Sequence, residues 1–346
     1  MKKVLVLKVG TAAITNGYGD IEEVVVENIC QQLSILHNKY NVILVSSGAV
    51  GAGKKYLQNY AGSITEKKAA AALGNPRLIQ KYAEFFQHSQ VGVAQVLCER
   101  HHFSNRKQFL QLRSTCEALW ENNIIPIINE NDVISDHSLK FSDNDEMATL
   151  LAIGFSAEKL LFGSSMPGLL DGEEVIPRIE KFSAEIFSCA KPGTSRGGLG
   201  GMISKLSCTR LATNFGTTVV IFDVRKDGNI LRAEQFQTGT VCSAQLCNIS
   251  AHKKWMATGS LPTGRVVIDL GAAEALKKRK SLLLVGVKSV EGDFEKGDII
   301  EIYVDGMEGV EDVFAVARAK ISFSDFESNK KQKNVEIAHA NEIVIF

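Results

Sequence analysis

At 346 residues the chain exceeds what one hydrophobic core usually organises, and with 45% apolar residues it can bury two. Lysine plus arginine and aspartate plus glutamate balance at 39 each, which excludes attachment to nucleic acid or an anionic membrane by overall charge, leaving only local patches. The seven cysteines are scattered without a CxxC pair, so they suggest neither a disulfide framework nor a zinc site and point to a reducing, cytoplasmic setting.

The N-terminus, MKKVLVLKVG, begins like a signal peptide, but Lys8 interrupts the apolar run well short of the roughly 7–15 residues of such a segment. No run approaches the roughly 18 apolar residues of a membrane span. Val4 to Val9 reads as a buried strand, and Gly10 to Ala13 is a small-residue turn after it. Lys8 therefore stands at the C-terminal end of a strand, where open α/β sheets place their ligands. Asp20 to His37 has helical spacing at Ile21, Val24, Val25, Ile29, Leu33 and Leu36, and Val42 to Val45 is the next strand. Strand, helix and strand make a βαβ unit with parallel pairing and a right-handed crossover.

The second strand runs into Ser46-Ser47-Gly48 and on to Lys54. Gly48 to Lys54 satisfies the GxxxxGK spacing of a P-loop, yet residue 55 is Lys where a magnesium-binding hydroxyl is required, and no strand end supplies the Walker aspartate. Both departures weigh against that reading. What remains is either a loop that admits a ligand close to its backbone, with the Ser47 hydroxyl and a helix N-terminus beside it, or a plain tight turn. Lys67 to Leu73 and Leu78 to Phe86 are helical, with a break or bend expected at Gly74-Asn75-Pro76. Val91 to Leu97 is a strand, Arg106 to Glu121 a helix and Ile124 to Ile128 a strand, which completes a doubly wound alternation. His101 and His102 read as loop residues, because adjacent side chains rarely converge on one metal.

Two acidic and amide clusters follow. Asn129-Glu130-Asn131-Asp132 sits at a strand exit, and Asp143-Asn144-Asp145-Glu146 opens the helical run Met147 to Ile153. Such groups hold a polar substrate, order lysines or bind a metal; alternatively they only cap, and Asp143 with Glu146 fits a capping box. Lys159 to Phe162 is another strand, and Leu169 to Pro192 reads as irregular. Arg196 to Lys205 is a glycine-rich turn feeding a helix that runs to about Asn214. Backbone N–H groups, a helix dipole and Lys205 converge there as in a phosphate-binding loop, the alternative being a surface turn with a solvated lysine. Thr217 to Phe222 closes the domain with a strand, and Gly239 to Val241 is a short final one.

The expected organisation is a doubly wound, mainly parallel α/β sheet sandwiched by helices over 1–252, a linker at 253–263, and a small mostly-β barrel over 264–346. Within that last part Arg265 to Ile268, Ser281 to Val287, Asp298 to Val304 and Val313 to Ala319 read as strands and Ala272 to Lys278 as a helix.

In order and spacing, Lys8-Val-Gly-Thr11, Ser46-Ser-Gly-Ala49, Ile128-Asn-Glu-Asn-Asp132, Asp143-Asn-Asp145 and Gly200-Gly-Met-Ile-Ser-Lys205 resemble the amino acid kinase family, in its glutamate-phosphorylating branch. The tail, with Gly264-Arg-Val-Val-Ile-Asp269 and Gly286 to Phe294, resembles the PUA domain that many members append. The resemblance covers essentially the whole chain. It implies transfer of the ATP γ-phosphoryl group to the side-chain carboxylate of L-glutamate, with ATP as co-substrate and Mg²⁺, giving the acyl phosphate that begins proline synthesis. A carboxylate with a pKa of about 4.3 is already ionised, so no general base is needed, and the difficulty is electrostatic.

The resemblance also implies roles. Lys8 and Lys205 would flank the transferring group as catalytic residues, and Asp145 would orient them. Leu199, Gly200, Gly201, Met202, Ile203, Ser204 and Lys205 would wrap the nucleotide phosphates, with Lys8, Ser164 and Ser165 also at the nucleotide. Ser47, Asn129, Asp132 and Asn144 would bind the amino acid, Asp132 being suited to its ammonium, and Asp143 would help hold Mg²⁺ or substrate. One departure stands out: Ser164-Ser165 occupies the place of the family's Thr-Asp, keeping a hydroxyl and losing a carboxylate, which bears on nucleotide preference. The segment Met166 to Pro177 is also short against the family pattern.

As partners the resemblance implies glutamate and ATP, proline as a feedback inhibitor, and a homo-oligomer, dimer or tetramer, with no membrane. RNA is the rival partner, because PUA domains bind it elsewhere. Residues 264–346 carry 12 Lys plus Arg against 15 Asp plus Glu, a net charge of −3. That is a poor footprint for RNA, so the tail is expected to serve assembly or regulation. Two further rivals are another acceptor, acetylglutamate or carbamate, and a regulatory paralogue.

Overall fold

The computed structural model describes residues 2–16, 18–134, 144–190, 201–245, 262–306, 313–329 and 334–346. They fall into two compact units. One comprises the chain up to Lys181 with Glu185–Gln245, and the other comprises the C-terminal residues with Phe182–Ala184.

The first unit runs β1 (Lys3–Val9), α1 (Thr11–Ile14), α2 (Glu23–His37), β2 (Tyr40–Ser46), α3 (Ala49–Lys54), α4 (Ile64–Gln87), β3 (Gly92–Cys98), α5 (Arg100–Ser104), α6 (Arg106–Glu121), β4 (Ile124–Glu130), α7 (Asn144–Gly154) and β5 (Lys159–Ser164). It continues through β6 (Leu170–Asp171), β7 (Glu174–Val175), β8 (Arg178–Ile179), α8 (Ala184–Ser188), α9 (Met202–Asn214), β9 (Thr218–Asp223), α10 (Asn229–Glu234) and β10 (Thr240–Cys242). Eight strands form one sheet in the order β3-β4-β2-β1-β5-β9-β10-β8, parallel except between β9 and β10. Val42-Ile43-Leu44-Val45 is buried at every position, as expected of a strand covered on both faces.

Strand order reverses about β1, with β2 on one side and β5 on the other. The carboxyl ends of β1 and β5 thus lie at a topological switch point, where such sheets open a crevice. Gly163 keeps that crevice tight. A Cβ there would come within 2.9 Å of Val224 Cβ and 3.2 Å of the Lys8 carbonyl oxygen.

Several local expectations are corrected. The segment around Gly74-Asn75-Pro76 does not break; α4 is one helix with Pro76 inside it, opened by a Ser63/Glu66 capping box. The reason is packing. Helices α3 and α4 meet backbone to backbone, so that a Cβ on Gly74 would lie 1.8 Å from the Ala49 carbonyl oxygen and one on Gly53 1.8 Å from that of Ala70. This contact, with the Arg77 guanidinium donating to the Leu73 carbonyl at 2.6 Å, outweighs the one hydrogen bond that Pro76 removes. His101 and His102 belong to α5 rather than to a loop, and His102 Nδ1 accepts the Glu99 N–H at 2.9 Å. The stretch Leu169 to Pro192 contains the β6–β7 hairpin, the sheet strand β8 and α8. The strands expected at Thr217 to Phe222 and Gly239 to Val241 are present as β9 and β10, with β9 between β5 and β10.

The second unit comprises β11 (Gly264–Ile268), α11 (Leu270–Lys277), β12 (Leu282–Leu283), a 3₁₀ turn, β13 (Val287–Gly292), β14 (Ile299–Val304), β15 (Ala315–Arg318), α12 (Phe323–Asn329), β16 (Glu336–Ala338) and β17 (Ile343–Ile345). Its strands make a five-stranded sheet, β13-β11-β14-β15-β17, and a two-stranded ribbon, β12-β16, around Val266, Ile268, Phe294, Ile300 and Ile302. The strand expected at Ser281 to Val287 is divided at Gly286, whose backbone packs against Ala272 so closely that a Cβ would sit 2.5 Å from the Ala272 methyl. Residues 253–261 of the expected linker lie outside the described residues.

Candidate functional site

Three buried charges meet at the switch point. Lys8 stands one residue before the end of β1, Asp145 in the first turn of α7 and Lys205 in the first turn of α9. Lys8 Nζ is 2.6 Å from Asp145 Oδ1, and Lys205 Nζ is 2.5 Å from Oδ2. Lys205 also lies 4.6 Å from the centre of the Phe162 ring, a cation–π contact. Burial alone would raise the Asp145 carboxyl, but the Lys205 and Lys8 charges prevail and hold it far below the usual carboxylate range. Two ammonium groups against one carboxylate leave a net +1 in a place where the lysine side chains are only 10% and 11% exposed. A buried surplus charge is costly unless it is paired, so this centre is built to receive an anion.

The neighbouring residue, Asn144, belongs to a chain of amides. Its Nδ2 donates to Ser47 Oγ at 2.7 Å and to Asn129 Oδ1 at 3.0 Å, and Asn129 Nδ2 donates in turn to Asn75 Oδ1 at 3.3 Å. Asn144 Oδ1 is buried without a hydrogen-bond partner. Ser47 is tied to β1 by its N–H on the Val9 carbonyl, and Gly48 follows with φ of +110°, a value that favours glycine. Asp132 lies in the turn after β4, next to Asn131, whose amide donates to Glu99 Oε1 at 3.3 Å.

Glu146, third of the acidic run, is clamped by Arg100 of α5, whose Nη2 reaches both carboxylate oxygens at 2.6 and 2.8 Å. The capping partner expected for it, Asp143, lies outside the described residues. So do Leu199 and Gly200.

On the other side of the lysines, Gly201 is the N-cap of α9, whose first turn carries Met202, Ile203, Ser204 and Lys205. The Ser164 hydroxyl is engaged in its own turn, donating to the Met166 carbonyl and accepting the Met166 N–H, both at 3.0 Å. Ser165 offers its carbonyl to Arg225 Nη2 at 2.8 Å. Arg225 is held by Asp223, which pairs across from Ser164 at the end of β9. Burial opposes ionisation of Asp223, but the hydrogen bonds and charge of Arg225 win and lower its pKa. A carboxylate–guanidinium pair thus stands beside Ser164 and Ser165. Lys54, the lysine of the P-loop spacing, packs instead against Gly19.

The structure therefore joins Lys8, Asp145 and Lys205 in one set and Ser47, Asn129 and Asn144 in another, with Asn144 and Asp145 adjacent in sequence. Asn75, Arg100 and Arg225 were not singled out from the sequence. A polar residue between a glycine and a proline inside a helical run was the one local signal for Asn75; Arg100 and Arg225 carried none.

A crevice at the carboxyl ends of parallel strands, two buried lysines with charge to spare and a helix N-terminus beside them define a protein suited to phosphoryl transfer. Residues 3–223 match the amino acid kinase family and residues 264–340 the PUA domain. The chain belongs to the amino acid kinase family and carries a PUA domain behind its catalytic fold. Among similar proteins, glutamate 5-kinase of Kosmotoga olearia is 35% identical over 335 residues, covering 94% of this chain and 90% of that protein. Glutamate 5-kinase of Streptococcus suis is 31% identical over 357 residues, covering 99% of each. A solved structure, UMP kinase from Ureaplasma parvum, matches with a TM-score of 0.47 and 11% identity over 70% of this chain and 100% of that one.

Proposed function

We propose that this chain transfers the γ-phosphoryl group of ATP to the side-chain carboxylate of L-glutamate, giving ADP and L-glutamyl 5-phosphate, the acyl phosphate that begins proline synthesis. The observation that carries this reading is the Lys8–Asp145–Lys205 centre, with its surplus positive charge, set beside an amide cluster with an unused acceptor. The glutamate 5-kinases similar to it along almost its whole length support the choice of acceptor.

In the reaction a carboxylate oxygen forms a bond to the γ-phosphorus as the bridging bond to the β-phosphate breaks, and the electron pair leaves with ADP. The acceptor is already ionised, so no proton has to move. Lys8 and Lys205 would offset the charge on the equatorial oxygens, and Asp145 would hold the two ammonium groups on either side of that group. Asn144 Oδ1 suits the α-ammonium of the amino acid, together with Asp132, while Ser47 and Asn129 complete its pocket. The loop Leu199 to Lys205 would receive the nucleotide phosphates at the N-terminus of α9, with Ser164 and Ser165 on the nucleotide side.

Among the described residues no group of three or more acidic, histidine or cysteine side chains could hold a metal ion. In the proposed reaction Mg²⁺ enters with the nucleotide as MgATP, with Asp143 as its protein contact. No helix among the described residues is long and apolar enough to cross a membrane, and the proposed setting is the cytoplasm. We extend the proposal to feedback by proline and to a homo-oligomer, with the PUA domain serving assembly or regulation. Salt-sensitive, submicromolar binding of structured RNA by the protein would overturn that last point.

The direct test traps the acyl phosphate with hydroxylamine. Protein, MgATP and glutamate are expected to form hydroxamate far faster than the Lys205→Ala variant does; equal rates would sink the assignment.

A further inference from the structure

Asn75 has no part in the roles above, yet it is the far end of the amide chain that reaches Asn144. It is 6% exposed in α4, between Gly74, where α4 touches α3, and Pro76. The same helix contact fixes α3, which begins two residues after Ser47. One crossing therefore places both Asn75 and Ser47, the hydroxyl to which Asn144 donates.

Primary amides linked head to tail have a direction, because each offers an acceptor on one side and donors on the other. Asn75 presents its oxygen to Asn129. Asn129 must then turn its NH₂ group toward Asn75 and its oxygen toward Asn144. Asn144 has to turn its own NH₂ inward, to Asn129 and Ser47, which leaves Oδ1 buried and unpartnered. The Ser47 hydroxyl both donates and accepts, so it does not choose the direction. The opposite direction would present NH₂ in place of an acceptor and would oppose an ammonium ligand.

We propose that Asn75 is a positioning residue for amine recognition: through Asn129 it sets the direction of the amide chain, so that Asn144 shows an acceptor to the α-ammonium of the substrate. The inference rests on the reading of this site as one that phosphorylates an amino acid. It assigns the preference for an amino acid over a plain dicarboxylate to a residue that touches neither substrate.

The test uses the full-length protein, the hydroxamate assay, and glutamate against glutarate, the same dicarboxylate without the amine. Wild type is expected to favour glutamate in kcat/KM. Asn75→Leu is expected to lose about tenfold of that preference, the worth of one hydrogen bond to a charged group, through KM for glutamate and with KM for ATP unchanged. Asn75→Asp, which can only accept, is expected to keep the preference. If Asn75→Leu does not fold, Asn75→Ala, which empties the space without crowding it, takes its place. Unchanged preference in the Leu or Ala variant, or equal loss in the Asp variant, overturns the proposal. A wild type that uses neither dicarboxylate overturns the proposed function and this inference together, whereas one that uses both equally well overturns amine recognition by Asn144 alone.

Discussion

At one end of the parallel strands Asp145 holds Lys8 and Lys205; at the other, Glu234 holds Lys39 and Lys159. The ingredients are the same, a buried carboxylate and two lysines. Glu234 Oε1 receives Lys159 at 2.7 Å, Lys39 at 2.9 Å and the Tyr40 hydroxyl at 2.6 Å, while Lys159 also donates to the Glu234 carbonyl at 2.7 Å. Its second cation is not buried, since the Lys39 side chain is 64% exposed and its charge is carried by water. What stays inside is one carboxylate and one lysine that donates to it and to the Glu234 carbonyl, a fastening between α10 and the start of β5. Both cations on Asp145 are inside, and the three groups together carry one positive charge in excess. Where the second charge resides thus separates a structural ion pair from a candidate catalytic one.

Substitutions can break this contrast. Lys205→Ala or Lys8→Ala is expected to lower the rate of hydroxamate formation by about 10²–10³-fold, the usual cost of removing one group that stabilises transition-state charge, with thermal melting little changed. Lys159→Met is expected to do the reverse. It should destabilise the protein by about 3 kcal/mol in urea, because Glu234 loses its buried partner, and leave KM for glutamate and ATP as they were. A Lys159 variant that keeps its stability but loses activity would show the two clusters to be alike.

Acid titration sharpens the comparison further. Burial opposes ionisation of Glu234, but the hydrogen bonds from Lys159, Tyr40 and Lys39 lower its pKa from 4.5 to about 2. A depressed carboxyl contributes stability that is present above its ordinary pKa and lost as pH falls toward the folded value. The loss in this cluster is therefore expected between pH 4.5 and about 2, and Glu234→Gln should flatten the urea midpoint across that window. His37, buried at the end of α2, acts earlier. Burial, aided by the Lys2 charge, lowers its pKa from 6.5 to about 4, so the fold prefers it neutral and loses stability as pH falls through that range. His37→Leu is expected to remove the small drop in melting temperature between pH 7 and pH 5.

Much of the fold was legible because its signals are local. Buried strands show as short runs of Val, Ile and Leu, and glycines mark the turns at Gly10, Gly48 and Gly201. For the same reason Lys8, Ser47, Asn144, Asp145 and Lys205 could be named as candidates before any pairing was known. The errors came where a distant surface overrode a local preference. Gly74-Asn75-Pro76 reads as a helix break, but the approach of α3 makes it the middle of α4.

The sequence by itself determined the α/β alternation, the second β-rich unit and the residue types at each strand exit, since these depend on periodicity and on turn chemistry a few residues long. Only the tertiary structure decided which charges meet. Asp145 lies 60 residues before Lys205, Asn75 lies 54 before Asn129 and Arg100 lies 46 before Glu146. Pairings at that separation are set by the order in which strands join the sheet and by how closely α3 and α4 can approach, and no local pattern encodes them.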